Sequence, residues 1–349
     1  MDTFSSLPNS SSLFKKPQLN WGVLGTARIA RSSVIPAIQS VKHNSVAAVA
    51  SRDLTRASAF AQELGIARAY GSYAELLADP SVQAVYIPLP NSEHAPWALK
   101  AMQAGKHVLV EKPIALTADE AQQLISASLE HSVVLMEAFM YRYDPRFTKL
   151  LGLVRGPDLG KPRFISTSFT FNLANPDDIR LTPDLGGGAL YDVGCYCVNL
   201  QRQLLGREPV SVQAVGDLGQ SGVDLQVSAV LDFGDQTFGH LDVAFNAARS
   251  QHLRLIGTDG TLELSDPFKA GKDGSQAIIT HGSETRRVNF RPVDSYSRMV
   301  EHFYNVVINR ELPLFPLADA LNNMVVLDAL YQSLAANGRQ VNISHIKSN

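Results

Sequence analysis

Trp21-Gly22-Val23-Leu24-Gly25-Thr26-Ala27-Arg28-Ile29-Ala30 is the stretch on which the fold of this chain turns. A short apolar run ends at a glycine, and a helical pattern starts within three residues. That is a strand–turn–helix junction of the kind that opens a βαβ unit. Gly25 supplies the tight turn. Ala27 and Ala30 are small enough for a pyrophosphate to approach the backbone and for the helix to pack on the sheet. The N–H groups of Thr26, Ala27, Arg28 and Ile29 then face an anion at a helix N-terminus. The pattern is G-x-A-x-x-A rather than G-x-G-x-x-G, so its weight comes from its context.

That context repeats down the chain. Apolar runs at 21–24, 46–50, 84–89, 108–110 and 133–136 alternate with helical stretches at 29–40, 55–64, 73–78, 95–104 and 118–129. Alternation of this kind implies a doubly wound parallel sheet, an α/β Rossmann domain over 19–145. From residue 146 the pattern turns to strands, at 164–171, 210–215, 225–233, 237–245, 253–257 and 261–264, with closing helices at 296–309 and 317–337. Gly234-Asp235 and Asp259-Gly260 suit hairpin turns. The second half, 146–349, reads as an α+β substrate and oligomerisation domain. Residues 1–18 are a polar arm, either a disordered tail or a segment that packs over a ligand or a neighbouring subunit.

Composition narrows the function classes. The 349 residues carry 31 basic and 33 acidic side chains, a formal charge of −2, so nucleic acid is not the expected partner. No apolar run approaches the ~18 residues of a membrane span, and no secretory signal opens the chain. Cys195 and Cys197 are the only cysteines, which excludes a disulfide scaffold and suits a cytoplasmic location. The histidines show no ligand spacing such as H-E-x-x-H, and no metal is expected.

Ligands of open α/β sheets sit beyond the carboxyl ends of the strands. After the second strand comes Ser51-Arg52-Asp53, with Arg56 close behind. An NAD site would place an acid here for the ribose 2′-OH. A hydroxyl followed by a guanidinium suits the 2′-phosphate of NADP better. The bland alternative leaves both arginines solvated and Asp53 facing the ribose. Leu89-Pro90-Asn91-x-x-His94 follows the 84–89 run, and Glu111-Lys112-Pro113 follows the next. Pro113 keeps Lys112 extended, so that its ammonium projects from the strand end. His94 either borders the ligand or is a helix-start residue satisfied by backbone. Further on, Gly186-Gly187-Gly188 leads into a helical segment in which Asp192 and Tyr196, four apart, share a face.

Together these motifs resemble the glucose–fructose oxidoreductase/inositol dehydrogenase (Gfo/Idh/MocA) family, from about residue 19 to 341. Many relatives have His where this chain has Tyr196. Tyrosine there, with Glu137-Ala138-Phe139-Met140-Tyr141-Arg142, is similar to the branch of NADP-linked xylose dehydrogenase and dimeric dihydrodiol dehydrogenase. Ala27 departs from the second glycine of many members.

The resemblance implies NADP-dependent hydride transfer between nicotinamide C4 and a sugar or polyol carbon. Oxidation of an aldopyranose such as xylose or glucose at C1, giving a lactone, leads the possibilities. A sugar–sugar oxidoreductase with retained NADP, a trans-dihydrodiol dehydrogenase and a 1,5-anhydrofructose reductase stay open, as does a non-catalytic dinucleotide sensor. Tyr196 is expected as general acid/base, its pKa lowered by the Lys112 ammonium, with Asp192 orienting Lys112. Tyr141, Arg142 and Asp177 are further expected substrate contacts. The resemblance also implies a homodimer or homotetramer joined through the open sheet of the second domain.

Overall fold

A computed structural model describes residues 16–269, 271 and 273–343; apart from Lys16, Pro17 and Gln18, the polar arm lies outside the described residues. Six strands, β1 (Leu19–Leu24), β2 (Asn44–Ala50), β3 (Arg68–Tyr70), β4 (Ala84–Ile87), β5 (His107–Val110) and β6 (Leu135–Glu137), form one sheet in the order β3-β2-β1-β4-β5-β6. Every pairing is parallel. Helices α1 (Ile35–Ser40), α2 (Leu54–Leu64), α3 (Tyr73–Ala78), α4 (His94–Gln103) and α5 (Ala118–Glu130) make the crossovers. The order reverses between β1 and β4, which opens a crevice at their carboxyl ends.

Two local departures from the sequence pattern have physical causes. Strand β3, three half-buried residues long, is too short to show a period. The expected helix from Ile29 runs through a π-turn, Ala30–Val34, before α1, and the Ile35 N–H reaches Ala30 O five residues back. Pro36 accounts for it, because its ring nitrogen cannot bond the carbonyl of Ser32 and the turn widens ahead of it.

Helix α6 (Pro145–Val154) leads to the second sheet, which was not anticipated as a helix. Nine strands follow: β7 (Pro162–Asn172), β8 (Ser211–Leu218), β9 (Asp224–Asp232), β10 (Phe238–Ala244), β11 (Asn246–Gly257), β12 (Gly260–Ser265), β13 (Ser275–His281), β14 (Glu284–Phe290) and β15 (Val341–Asn342), in the order β14-β13-β12-β11-β7-β10-β9-β8-β15. All pairs are antiparallel except β10 with β7. Helix α7 (Cys195–Leu205) lies on one face, where Gln201 Nε2 donates to Thr167 Oγ1 and His240 O, both at 2.8 Å. Helices α8 (Ser295–Ile308) and α9 (Leu317–Ala335) close the molecule. The other face leaves Phe164, Val230 and Phe238 exposed.

Candidate active site

The loop after β1 begins at Gly25, whose φ of +102° disfavours any side chain, and a Cβ there would lie 2.9 Å from Leu89. Thr26, Ala27 and Ile29 are half-buried and Arg28 is exposed, at the entrance of a helical turn beginning at Arg28. This backbone suits a dinucleotide pyrophosphate. At the end of β2, Ser51 is buried and its Oγ accepts the Asp53 N–H at 3.4 Å. The Asp53 carboxylate is engaged as the N-cap of α2, with Oδ1 accepting from Thr55 N at 2.8 Å and Arg56 N at 3.3 Å. Both cap bonds fall on Oδ1. Arg52 and Arg56 are exposed on the same flank, near enough to Tyr73 to oppose the rise that burial gives its hydroxyl.

His94 lies between the segments that follow β4 and β5. The ring is buried, with Nδ1 2.7 Å from Pro113 O and Nε2 2.8 Å from Leu89 O. Burial pushes it down to about 4, overriding both carbonyls, and it is neutral at physiological pH. The expectation that it borders the ligand is corrected here. Both nitrogens face main-chain oxygen, and the neutral ring donates its single N–H to one of these carbonyls rather than to a ligand. Asn91 Nδ2 donates to Gly186 O at 2.8 Å, joining the Rossmann half to the glycine-rich loop. Glu111 Oε1 accepts the Tyr86 hydroxyl at 2.6 Å.

Lys112 reaches across to the helix that carries Asp192. Its Nζ donates to Asp192 O at 2.8 Å and Asp192 Oδ1 at 2.9 Å, and each side chain is 14% exposed. Burial lowers the pKa of this ammonium, but Asp192, with help from Cys195 and Glu111, holds it above the ordinary lysine value. Asp192 is held down to about 2: burial raises it, and Lys112 and Arg180 more than reverse that. The ammonium lies 5.1 Å from the centre of the Tyr196 ring, so Lys112, Asp192 and Tyr196 meet at one point. They do so although the helix starts with a π-turn, Leu190–Gly194, in which Cys195 N–H bonds Leu190 O.

Tyr196 departs from expectation in its acidity. Its hydroxyl sits well above the usual tyrosine range: burial leads, and Tyr296, Glu111, Cys195 and Asp192 add to it. The Lys112 charge is already answered by Asp192 and does not turn this around. The side chain is half-buried in a cage of Phe139, Tyr141, Phe169 and Phe268.

Two expected substrate contacts, Tyr141 and Arg142, are turned into the core instead. Tyr141 is 1% exposed and its hydroxyl donates to Asn199 Oδ1 inside the core. Arg142 is 5% exposed, with Nη1 2.7 Å from Asp319 and Nη2 3.5 Å from Glu137. A short 3-10 turn after β6, Met140–Tyr143, directs both inward. Asp177 is exposed on the loop surface. Its neighbour Asp178 faces the site instead, pairing with Arg180 at 3.2 Å. Arg180 escaped the sequence reading; its Nε donates to Asp192 Oδ2 at 2.7 Å.

Residues 19–139 match the oxidoreductase family with an NAD-binding Rossmann fold, and residues 147–263 match the GFO/IDH/MocA C-terminal domain. The chain belongs to the GFO/IDH/MocA family. A D-xylose 1-dehydrogenase (NADP(+)) from Haloferax volcanii is 42% identical over 316 residues, covering 90% of this chain and 96% of that one. A trans-1,2-dihydrobenzene-1,2-diol dehydrogenase from Xenopus laevis is 32% identical over 323 residues, 90% and 97% of the two chains. A 3-ketoreductase from Actinomadura kijaniata, solved with NADP and TDP-benzene, superposes with a TM-score of 0.87 at 28% identity, covering 91% of this chain and 98% of that one. As a GFO/IDH/MocA protein, this chain is an oxidoreductase of CH–OH groups with a nicotinamide-dinucleotide fold. Among the described residues no helix is long and apolar enough to cross a membrane, and no three His, Cys, Asp or Glu side chains are grouped to hold a metal.

Proposed function

We propose that the protein is an NADP-linked dehydrogenase that oxidises an aldopyranose, xylose or glucose, at C1 to the lactone. The observation that carries this reading is the meeting of Lys112, Asp192 and Tyr196 at the carboxyl end of β5, in the same parallel sheet as the strand that leads into the Gly25 turn. The 42% identity to a xylose dehydrogenase supports the substrate class. The bound dinucleotide would supply the hydride acceptor, held by the 25–29 turn, Leu89, Pro90, Asn91 and Glu111. Lys112 uses two of its three N–H donors on Asp192, which leaves one for the reacting oxygen. Tyr196 holds the proton that passes to or from that oxygen. A second reading, oxidation of a trans-dihydrodiol, is supported by the 32% identical relative. Assays of xylose, glucose and a trans-dihydrodiol with NADP⁺ decide between them. Failure to oxidise either sugar would overturn the leading reading.

Protonated Tyr196 is ready to donate in the reductive direction but must lose its proton to act as a base. With its pKa above the ordinary value, the phenolate fraction grows about tenfold per pH unit throughout the neutral and mildly alkaline range. The rate of sugar oxidation, measured with saturating substrates, is therefore expected to climb with pH beyond pH 9. A plateau beginning below pH 8 would show that Tyr196 is not the limiting base.

The choice of NADP rests on Ser51, Arg52 and Arg56, which follow β2. Charge-assisted contacts to a phosphate are worth about 1.5–3 kcal/mol each. Ser51→Asp combined with Arg52→Ile is thus expected to lower the NADP⁺/NAD⁺ ratio of kcat/KM by about tenfold to a hundredfold. An unchanged ratio would refute the assignment. We also assign the exposed face bearing Phe164, Val230 and Phe238 to a second copy of the chain, as a homodimer or homotetramer.

A further inference from the structure

Arg180 is the one cation at this site that the catalytic reading leaves without a task. It stands on the loop between β7 and the π-turn, and its side chain is 33% exposed. The loop is shaped to deliver it. Asp178 caps a 3-10 turn, Ile179–Leu181, by accepting the Arg180 N–H at 3.0 Å, and the same oxygen receives Arg180 Nη1 at 3.2 Å. The Arg180 carbonyl accepts the Gly188 N–H at 2.9 Å. A Cβ on Gly187 would come within 2.5 Å of that carbonyl, and Gly188 has a φ of +126°. The glycine run therefore lets the loop fold back on itself so that Arg180 reaches Asp192.

The two oxygens of Asp192 are divided between two cations. Oδ1 takes Lys112 at 2.9 Å and Oδ2 takes Arg180 at 2.7 Å. A carboxylate held only by Lys112 is free to rotate and present either oxygen. With Oδ2 fixed by a guanidinium that is itself anchored on Asp178, only Oδ1 faces the ammonium. We propose that Arg180 is a positioning residue that acts through Asp192, fixing the Lys112 ammonium so that its third N–H points at the reacting oxygen. This rests on the roles given to Lys112 and Asp192 above. The guanidinium also keeps Asp192 ionised, since an opposite charge at this range lowers a carboxyl by about 1–3 pH units.

The test compares Arg180→Gln, Arg180→Lys and Lys112→Met, each assayed for kcat, KM, pH profile and NADPH affinity by fluorescence. Misplacing a catalytic group by an ångström costs about 10²-fold. Arg180→Gln is expected to lose that much in kcat with little change in KM or NADPH affinity; in the reductive direction, where Tyr196 stays protonated, the acid limb is set by Asp192 and moves up by about 1–3 pH units. Arg180→Lys retains a cation but not the fork that serves both carboxylates, and is expected to lose about tenfold with the acid limb in place. Should the glutamine protein fail to fold, the lysine variant decides. Wild-type kcat in Arg180→Lys, or in a folded Arg180→Gln with an unmoved acid limb, overturns the inference while an inactive Lys112→Met leaves the catalytic reading standing. A fully active Lys112→Met overturns both.

Discussion

Lys112→Met is expected to lower kcat by about 10³-fold while leaving the fold and most of the dinucleotide affinity in place. Removing one preorganised donor from a developing oxyanion costs about 10²–10³-fold, and losing a positioned acid/base partner costs a comparable factor. Lys112 serves both ends of this chemistry, because its ammonium lies against the Tyr196 ring and carries an unspent N–H. Methionine keeps a similar stem in the half-buried channel, so packing survives the change. Asp192 is left beside Arg180 and stays ionised, which spares the local structure the cost of a buried unpaired carboxylate. Steady-state kinetics beside a thermal melt separate the two effects. A kcat within tenfold of wild type, with an unchanged melt, would remove Lys112 from the chemistry.

The sequence made some of this visible and hid the rest for identifiable reasons. Strands that run into the sheet centre, such as β1 and β4, are apolar on both faces and end where a glycine or proline interrupts them, so their carboxyl ends and the groups on them could be read directly. Lys112 belongs to that class, whereas Asp192 and Tyr196 were legible from their four-residue spacing on a helical segment behind the Gly186–Gly188 run. Edge strands behave differently. Strand β14 has the sequence ETRRVNF, in which the charges that protect an edge erase the alternation. Strand β11 begins at Asn246 in a polar stretch whose extension is imposed by pairing with β7.

At the site, residue type alone does not report which way a side chain turns. The run Glu137 to Arg142 marks a strand end as clearly as Glu111-Lys112-Pro113 does, yet its side chains turn into the core. Nothing in residue type distinguishes an arginine that meets a ligand from one that meets Asp319 and Glu137. Arg180 was missed for the converse reason, because its position depends on a loop closing over three glycines, and no local period reports that closure. The Tyr196 hydroxyl shifts upward because the side chain is buried, which residue type and spacing do not report, and because the Lys112 ammonium is answered by Asp192.

The inward-facing arginine carries the second large expected effect. Asp319, in the first turn of α9, is 8% exposed and receives Arg142 Nη1 at 2.7 Å, Arg202 Nη2 at 2.9 Å and Gln203 Nε2 at 2.6 Å. Both guanidiniums are nearly fully buried, and Asn199 and Asn323 complete the cluster, the latter donating to Cys195 O beside Tyr196. Forming such a network yields little net stability, because desolvation offsets attraction, but removing one member strands the others. Asp319→Ala is accordingly expected to destabilise the fold by about 3–5 kcal/mol.

The loss should also depend on pH. Burial raises Glu137 to about 7, with Arg142 pulling it down and Asp319 pushing it up. Without Asp319, Glu137 ionises more readily and becomes the remaining partner of Arg142. Relative to wild type, the folded variant then binds fewer protons between about pH 4.5 and 7, so its deficit shrinks as pH rises through that window. Asp319 itself is held below the ordinary 3.8, so its own contribution is complete at both ends of the window. Urea unfolding of wild type and Asp319→Ala at pH 5 and pH 8 measures both effects. A loss under about 1 kcal/mol, or a loss larger at pH 8 than at pH 5, would mean that the cluster does not hold α7 and α9 together through these charges.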